Sequence, residues 1–177
     1  NKKYKKKEKY YMSIIYLKKD QIIYTSQGNY VVKDYCDLVN KDANLLNELC
    51  LSAFDLKNRS FYDVKINSIE YCPGVMDTIT VTFGDNYSRP WDIVIDKNQK
   101  FYDFSGEKDP YSIVPGNQVV TDNGMVPVKK LVENINSVDL YKFTLDNNCE
   151  CVFIEKVLIK TIKEENKKKT KKTKKND

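Results

Sequence analysis

Histidine is missing altogether from the 177 residues, so no imidazole is available to move protons near neutral pH. Glycine and proline are scarce, at six and five, which excludes a flexible linker or a fibrous chain. No glycine-rich loop of the kind that cradles phosphates is present. No uninterrupted apolar stretch approaches the ~20 residues that cross a bilayer, and the N-terminal lysines are not followed by the apolar core of a secretion signal. These absences predict a soluble, intracellular protein with no membrane partner.

What is present suits a globular domain: 41% of residues are apolar and 12% aromatic, in a length that gives one domain with a complete core. The net charge of +5 is unevenly placed. Residues 1–9 carry six lysines and one glutamate, and residues 163–177 carry eight lysines and three acids, so the body between them is net −5. Both ends are too charged and repetitive to bury, which predicts a basic N-terminal flank over 1–11, a domain over 12–162 and a disordered basic tail over 163–177. Lysine-rich tails attract nucleic acid weakly through counterion release; their plainer role is to keep the chain in solution.

Five cysteines stand at 36, 50, 72, 149 and 151. The odd count and irregular spacing give no disulfide framework, and the single residue between Cys149 and Cys151 is shorter than the gap of a zinc knuckle. The expectation is buried structural thiols with no metal and no cofactor, Cys149 and Cys151 projecting from one face of one strand. Asp77, Asp85, Asp92 and Asp96 lack the spacing of a calcium loop and read as turn formers. Tyr10, Tyr11, Tyr87, Trp91, Phe101, Tyr102 and Phe104 read as core and edge packing rather than a base-stacking platform, because the body is acidic.

Short runs rich in tyrosine, valine, isoleucine and threonine alternate with turn signals at Ser26 to Asn29, Pro73-Gly74, Gly84 to Asn86, Pro115 to Asn117 and Asp122 to Gly124. This spacing predicts an all-β fold of many short strands joined by tight turns. Thr78 to Phe83 reads as a strand running into a hairpin, and Val119 to Thr121 with Met125 to Val128 as another. Helix is predicted only over Asp42 to Leu51, with a short turn near Val128 to Val132.

The chain also resembles itself. Thr25, Gly28, Val32 and Lys33 match Thr121, Gly124, Val128 and Lys129 at the same offsets, and Asp77, Thr82 and Asn86 match Asp139, Thr144 and Asn148. A turn unit followed by a strand unit, twice in the same order, predicts pseudo-two-fold duplicated halves.

Five segments carry a resemblance to a known family: Gln21 to Gly28 opening on the Thr-x-x-Gly turn, Ser52 to Leu56, Val64 to Tyr71, Ile113 to Val119 with its Pro-Gly-Asn centre, and Asp139 to Asn148 followed by Val157 to Ile159. Over residues 16 to 161 the chain resembles the Hint fold shared by inteins and Hedgehog autoprocessing domains, and in particular a degenerate mini-intein. Only eleven residues separate Tyr102 from Val114, where a homing endonuclease insert would sit. The resemblance implies a Hint-like β horseshoe whose partner is the flanking host polypeptide, with no small-molecule substrate.

In that family a first-position thiol or hydroxyl attacks the preceding carbonyl, a Thr-x-x-His set polarises the peptide and protonates the leaving amine, and a terminal His-Asn pair completes release. The resemblance places the nucleophile position at Tyr16, the Thr-x-x-His positions at Asp96 and Gln99, and the closing pair at Lys160 and Thr161; a further family histidine falls near Cys149. Each departs from the family's residue type. A phenol is a poor acyl acceptor, glutamine cannot relay a proton, and threonine cannot form a succinimide. The expectation is a domain without standard splicing activity, kept as a structural module. Two routes would retain cleavage: Ser13 as an alternative nucleophile on the Met12 carbonyl, or Cys149 acting as a thiol of lowered pKa. A third reading makes the lysine tails a nucleic-acid-binding device.

Overall fold

The computed structural model describes residues 11–84, 87, 89–146 and 149–165. Sixteen strands follow in order: β1 Tyr11–Leu17, β2 Ile22–Thr25, β3 Gly28–Val31, β4 Leu51–Asp55, β5 Ser60–Val64, β6 Ile66–Val75, β7 Thr78–Phe83, β8 Trp91–Asp96, β9 Phe101–Asp103, β10 Gly106–Lys108, β11 Gln118–Thr121, β12 Gly124–Glu133, β13 Val138–Leu145, β14 Cys151–Ile154, β15 Val157–Lys160 and β16 Ile162–Glu165. Two helices, α1 Val32–Lys41 and α2 Leu45–Glu48, lie between β3 and β4, and a 3-10 turn covers Pro110–Ser112. The fold is all-β, with about 59% of the described residues in strands.

Four strands form one sheet in the order β16-β1-β13-β6. A second, ten-stranded sheet runs β3-β2-β4-β14-β15-β11-β12-β7-β8, with β5 beside β4. One apolar core joins the two: Ile15, Leu17 and Phe143 of the first sheet pack in the same buried cluster as Ile23, Val81, Phe83, Ile93 and Val152 of the second. Along β14 the faces alternate, so Val152 and Ile154 enter this core while Cys151 and Phe153 pack with Tyr102 and Leu158 in a smaller cluster.

The two Thr-x-x-Gly units form hairpins of identical register. Ile22 to Thr25 oppose Val31 to Gly28, and Gln118 to Thr121 oppose Pro127 to Gly124. In both, the threonine Oγ1 donates to the glycine carbonyl and accepts the N–H two residues on, and the glycine adopts a positive φ (116° and 100°) that favours a residue without Cβ. The likeness ends there: Val32 and Lys33 open α1, whereas Val128 and Lys129 continue in β12. Thr82 and Thr144 of the second repeated unit both lie in strands, β7 and β13; Asn86 and Asn148 lie outside the described residues.

Several local expectations need correction. α1 stands where no helix was expected. Val32, Tyr35, Cys36 and Val39 follow helical spacing and are all buried, while Asp34 in the first turn and Lys41 in the last suit the helix dipole. The β-branched and aromatic composition of this segment hides that periodicity. The helix predicted over Asp42 to Leu51 shrinks to the four residues of α2, and Val128 to Val132 is strand rather than turn. Pro73-Gly74 is not a turn but a bulge inside β6. Val138 pairs Val75 and Leu140 pairs Cys72, leaving one extra residue on β6 where Gly74 takes φ 74°. Phe104 and Tyr87 are almost fully exposed rather than in the core.

At the ends, β1 starts at Tyr11 and β16 runs through Lys163 to Glu165, so paired strand extends past both boundaries expected at 12 and 162. Residues 1–10 and 166–177 lie outside the described residues.

Candidate functional site

Three segments far apart in the chain converge around the end of β1. The first is β1 itself, whose Ser13 to Leu17 pair with Leu145 to Tyr141 of β13. Tyr16 is its penultimate residue, opposite Lys142 and half-buried; burial pushes its phenol up, although Lys142 works in the other direction. The second is the turn after β8. Asp96 closes that strand opposite Thr78, and its N–H donates to Gln99 Oε1 at 3.0 Å while the Gln99 N–H donates back to the Asp96 carbonyl at 3.0 Å. The Asp96 carboxylate accepts the Asn98 N–H at 2.9 Å. Asp96 and Gln99 thus hold their own loop together. Gln99 is fully buried and its Nε2 has no hydrogen-bond partner among the described residues.

The third segment is the end of β15. The Lys160 N–H donates to the Lys100 carbonyl at 2.8 Å, which ties the closing segment to the residue after Gln99. The Lys160 ammonium pairs with Glu107, and that contact holds the Glu107 carboxyl below its usual range. Thr161 is buried; its Oγ1 donates at 2.6 Å to the Cys149 carbonyl and lies 3.1 Å from that of Glu150. The next residue, Ile162, pairs with Ile14, which carries the closing strand alongside β1 within two residues of Tyr16. The positions Tyr16, Asp96 with Gln99, and Lys160 with Thr161 are therefore gathered at one place.

Cys149 and Cys151 do not share a strand face. Cys149 precedes β14 and packs in the main core, whereas Cys151 opens β14 and faces the smaller cluster; the Glu150 carbonyl between them accepts the Thr161 N–H at 2.9 Å. Burial pushes the Cys149 thiol up to about 11, the direction opposite to the one a nucleophilic or acidic role requires. Its carbonyl is the busier group: besides Thr161, it lies 2.9 Å from Ser13 Oγ and 2.9 Å from Lys163 Nζ, and Lys163 Nζ lies 2.6 Å from Ser13 Oγ. Lys163 was not singled out in the sequence, where it reads as the first lysine of a basic tail. Only the pairing of β16 with β1 brings it to Ser13.

The overall fold is shared with solved structures. A bacterial intein-like domain from Clostridium thermocellum superposes with TM-score 0.58 at 14% identity, covering 88% of this chain and 99% of that one. The chain has the intein-type Hint fold. A DnaB intein from Synechocystis gives TM-score 0.57 at 11% identity over 84% and 99% of the two chains, and the gp41-1 intein 0.53 at 12% over 81% and 97%. No family model and no curated protein matches the sequence. This Hint domain spans nearly the full length of those inteins, with β9, β10 and the 3-10 turn filling the short stretch after Tyr102. Among the described residues no cluster of three or more potential metal ligands forms, and no helix is long and apolar enough to cross a membrane.

Proposed function

We propose that this Hint domain is a degenerate intein-like element that has lost the standard splicing chemistry and is retained as a folded module within a larger polypeptide. The observation that carries this reading is that the three gathered segments present no group able to perform the three steps. Tyr16 offers a phenol whose ionisation burial disfavours, and a phenol ester is a poor stage in a reversible acyl shift. Gln99 spends its oxygen on the Asp96 N–H and cannot relay a proton. Lys160 is engaged by Glu107, and Thr161 has no amide to cyclise. The lysine-tail reading rests on residues outside those described, next to a net acidic body.

The test is to express the domain between two reporter segments and follow intact mass with and without added thiol. The expected result is that no joined reporters appear and that neither the Ile15–Tyr16 nor the Thr161–Ile162 bond is cut. Joined reporters, or scission at either bond, would overturn the reading. The variant combining Tyr16→Cys, Gln99→His, Lys160→His and Thr161→Asn is expected to gain thiol-induced cleavage before residue 16, because it installs the missing groups on segments already in place.

A further inference from the structure

The loop after β1 and the start of β13 enclose a cleft of about 440 Å³ on the four-stranded sheet, a size that holds small ligands. Its lining includes none of Tyr16, Gln99 and Thr161. Leu17, Tyr141 and Tyr71 stand in one row across β1, β13 and β6. The Tyr141 and Tyr71 rings lie 5.3 Å apart at 51°, and Tyr71 is 53% exposed. On the β1 side the chain continues into the cleft wall as Lys18 and Lys19. The Lys18 N–H donates to Gln21 Oε1 at 2.8 Å and the Lys19 carbonyl accepts the Lys33 N–H at 2.9 Å, which fixes this loop. The Lys18 ammonium lies 3.6 Å from Asp20, and Lys19 makes no ion pair among the described residues. On the other side Asp139 turns toward β6, where the bulge residue Gly74 donates its N–H at 3.1 Å and Tyr71 donates its hydroxyl.

We infer that this cleft binds a guanine mononucleotide, with its phosphate toward Lys19 and its base toward Asp139. The inference goes beyond the loss of splicing proposed above, and gives the domain a small-molecule ligand where the resemblance to inteins implies none. It rests on the order of the groups across the sheet. β1 and β6 lie on either side of β13, about 10 Å apart at the usual strand spacing. The ammonium groups and the carboxylate are therefore separated by about the length of a nucleoside monophosphate, with the tyrosine pair between them.

Each part of the cleft selects one part of the ligand. An ammonium with no carboxylate beside it attracts a phosphate, and Lys18, held only loosely by Asp20, supplies a second contact. The exposed ring of Tyr71, backed by Tyr141, offers a face on which a base stacks. An ionised carboxylate has about four acceptor sites, of which the Gly74 N–H and the Tyr71 hydroxyl use two at Asp139. The remaining two match guanine, whose N1–H and 2-amino group donate side by side from one edge. Adenine carries an acceptor next to its amino group, which a carboxylate repels.

The test is calorimetric titration of the full chain with guanosine monophosphate, adenosine monophosphate, guanosine and inorganic phosphate. Guanosine monophosphate is expected to saturate a single site, and the other three to bind about tenfold or more weakly. Lys19→Gln should lower the affinity for guanosine monophosphate by about fivefold and leave that for guanosine unchanged. Asp139→Asn keeps an oxygen for the Gly74 N–H and should erase the preference for guanine over adenine. Tyr71→Leu should weaken both nucleotides about tenfold, and Tyr71→Phe should restore most of the loss because it keeps the ring. The inference is overturned if guanosine monophosphate shows no saturable binding, if it binds no better than adenosine monophosphate or phosphate, or if Lys19→Gln and Asp139→Asn bind as the native chain does. Each of these results leaves the non-splicing reading standing, which fails only on joined flanks or scission at Tyr16 or Thr161.

Discussion

Tyr24 in the first Thr-x-x-Gly hairpin donates its phenol to a carboxylate oxygen of Asp122 in the second, at 2.8 Å. The two halves of the Hint domain therefore meet through equivalent turns, one residue before the threonine in one and one after it in the other. Tyr24 also stacks on Phe153, ring centroids 6.2 Å apart. Tyr24→Phe keeps the ring and loses the bond, so it should cost about 1 kcal/mol in urea denaturation, a value reduced by the exposure of the pair.

Thr25 and Thr121 play one role in two degrees of burial. Thr25 Oγ1 lies 2.6 Å from the Gly28 carbonyl and Thr121 Oγ1 lies 3.0 Å from that of Gly124, but only Thr25 is buried. Valine at either position keeps the β-branched shape and removes the hydroxyl. Thr25→Val should destabilise by about 1–2 kcal/mol and Thr121→Val by about half as much, measured as shifts in the denaturation midpoint. Equal costs would argue against burial as the deciding difference.

Gln99 separates packing from polarity. Its Oε1 accepts the Asp96 N–H, but its buried Nε2 has no partner among the described residues. Gln99→Leu gives up the bond and relieves the orphaned donor, so it should change stability by less than about 1 kcal/mol, whereas Gln99→Ala leaves a cavity and should cost about 2–3 kcal/mol. Calorimetric melting of the two variants decides it. Gln99→His alone should produce no processing, because Tyr16 and Thr161 still lack the chemistry.

High pH should unfold the domain. Burial raises Cys36 and Cys149 to about 11 and Cys151 and Tyr62 to about 12, from ordinary values of 9.0 for the thiols and 10.0 for the phenol. Below the ordinary values both folded and unfolded chains hold these protons and stability is at its full value. Between the ordinary and raised values only the unfolded chain ionises, so stability falls as pH rises. Unfolding free energy measured from pH 7 upward should begin to decline near about pH 9, thiols first. A flat profile to about pH 11 would contradict this burial.

Much of the fold was legible because it rests on neighbours in sequence. β7 occupies Thr78–Phe83 as expected, and the Thr-x-x-Gly turns formed as read, since a threonine bonding three residues on is a local event. α1 was not legible: Val32, Tyr35, Cys36 and Val39 carry helical spacing in residue types that favour strands, and packing of Tyr35 on Phe143, with its hydroxyl on the Leu49 carbonyl, outweighs propensity. Pro73-Gly74 reads as a turn in isolation; the partner strand β13 makes it a bulge. Of the site, Tyr16, Gln99 and Thr161 were named from the resemblance alone, while Lys163 left no local signal at all.

By itself the sequence determined that no imidazole is available and which turns repeat. A missing histidine is missing in every conformation, and hairpin chemistry needs only four adjacent residues. The tertiary structure alone decided which groups face each other. Ser13 meets Lys163, and Lys160 meets Glu107 beside the Gln99 turn, only because strands distant in the chain pair in one register. A shift of that register by one residue would turn every one of those side chains to the opposite face.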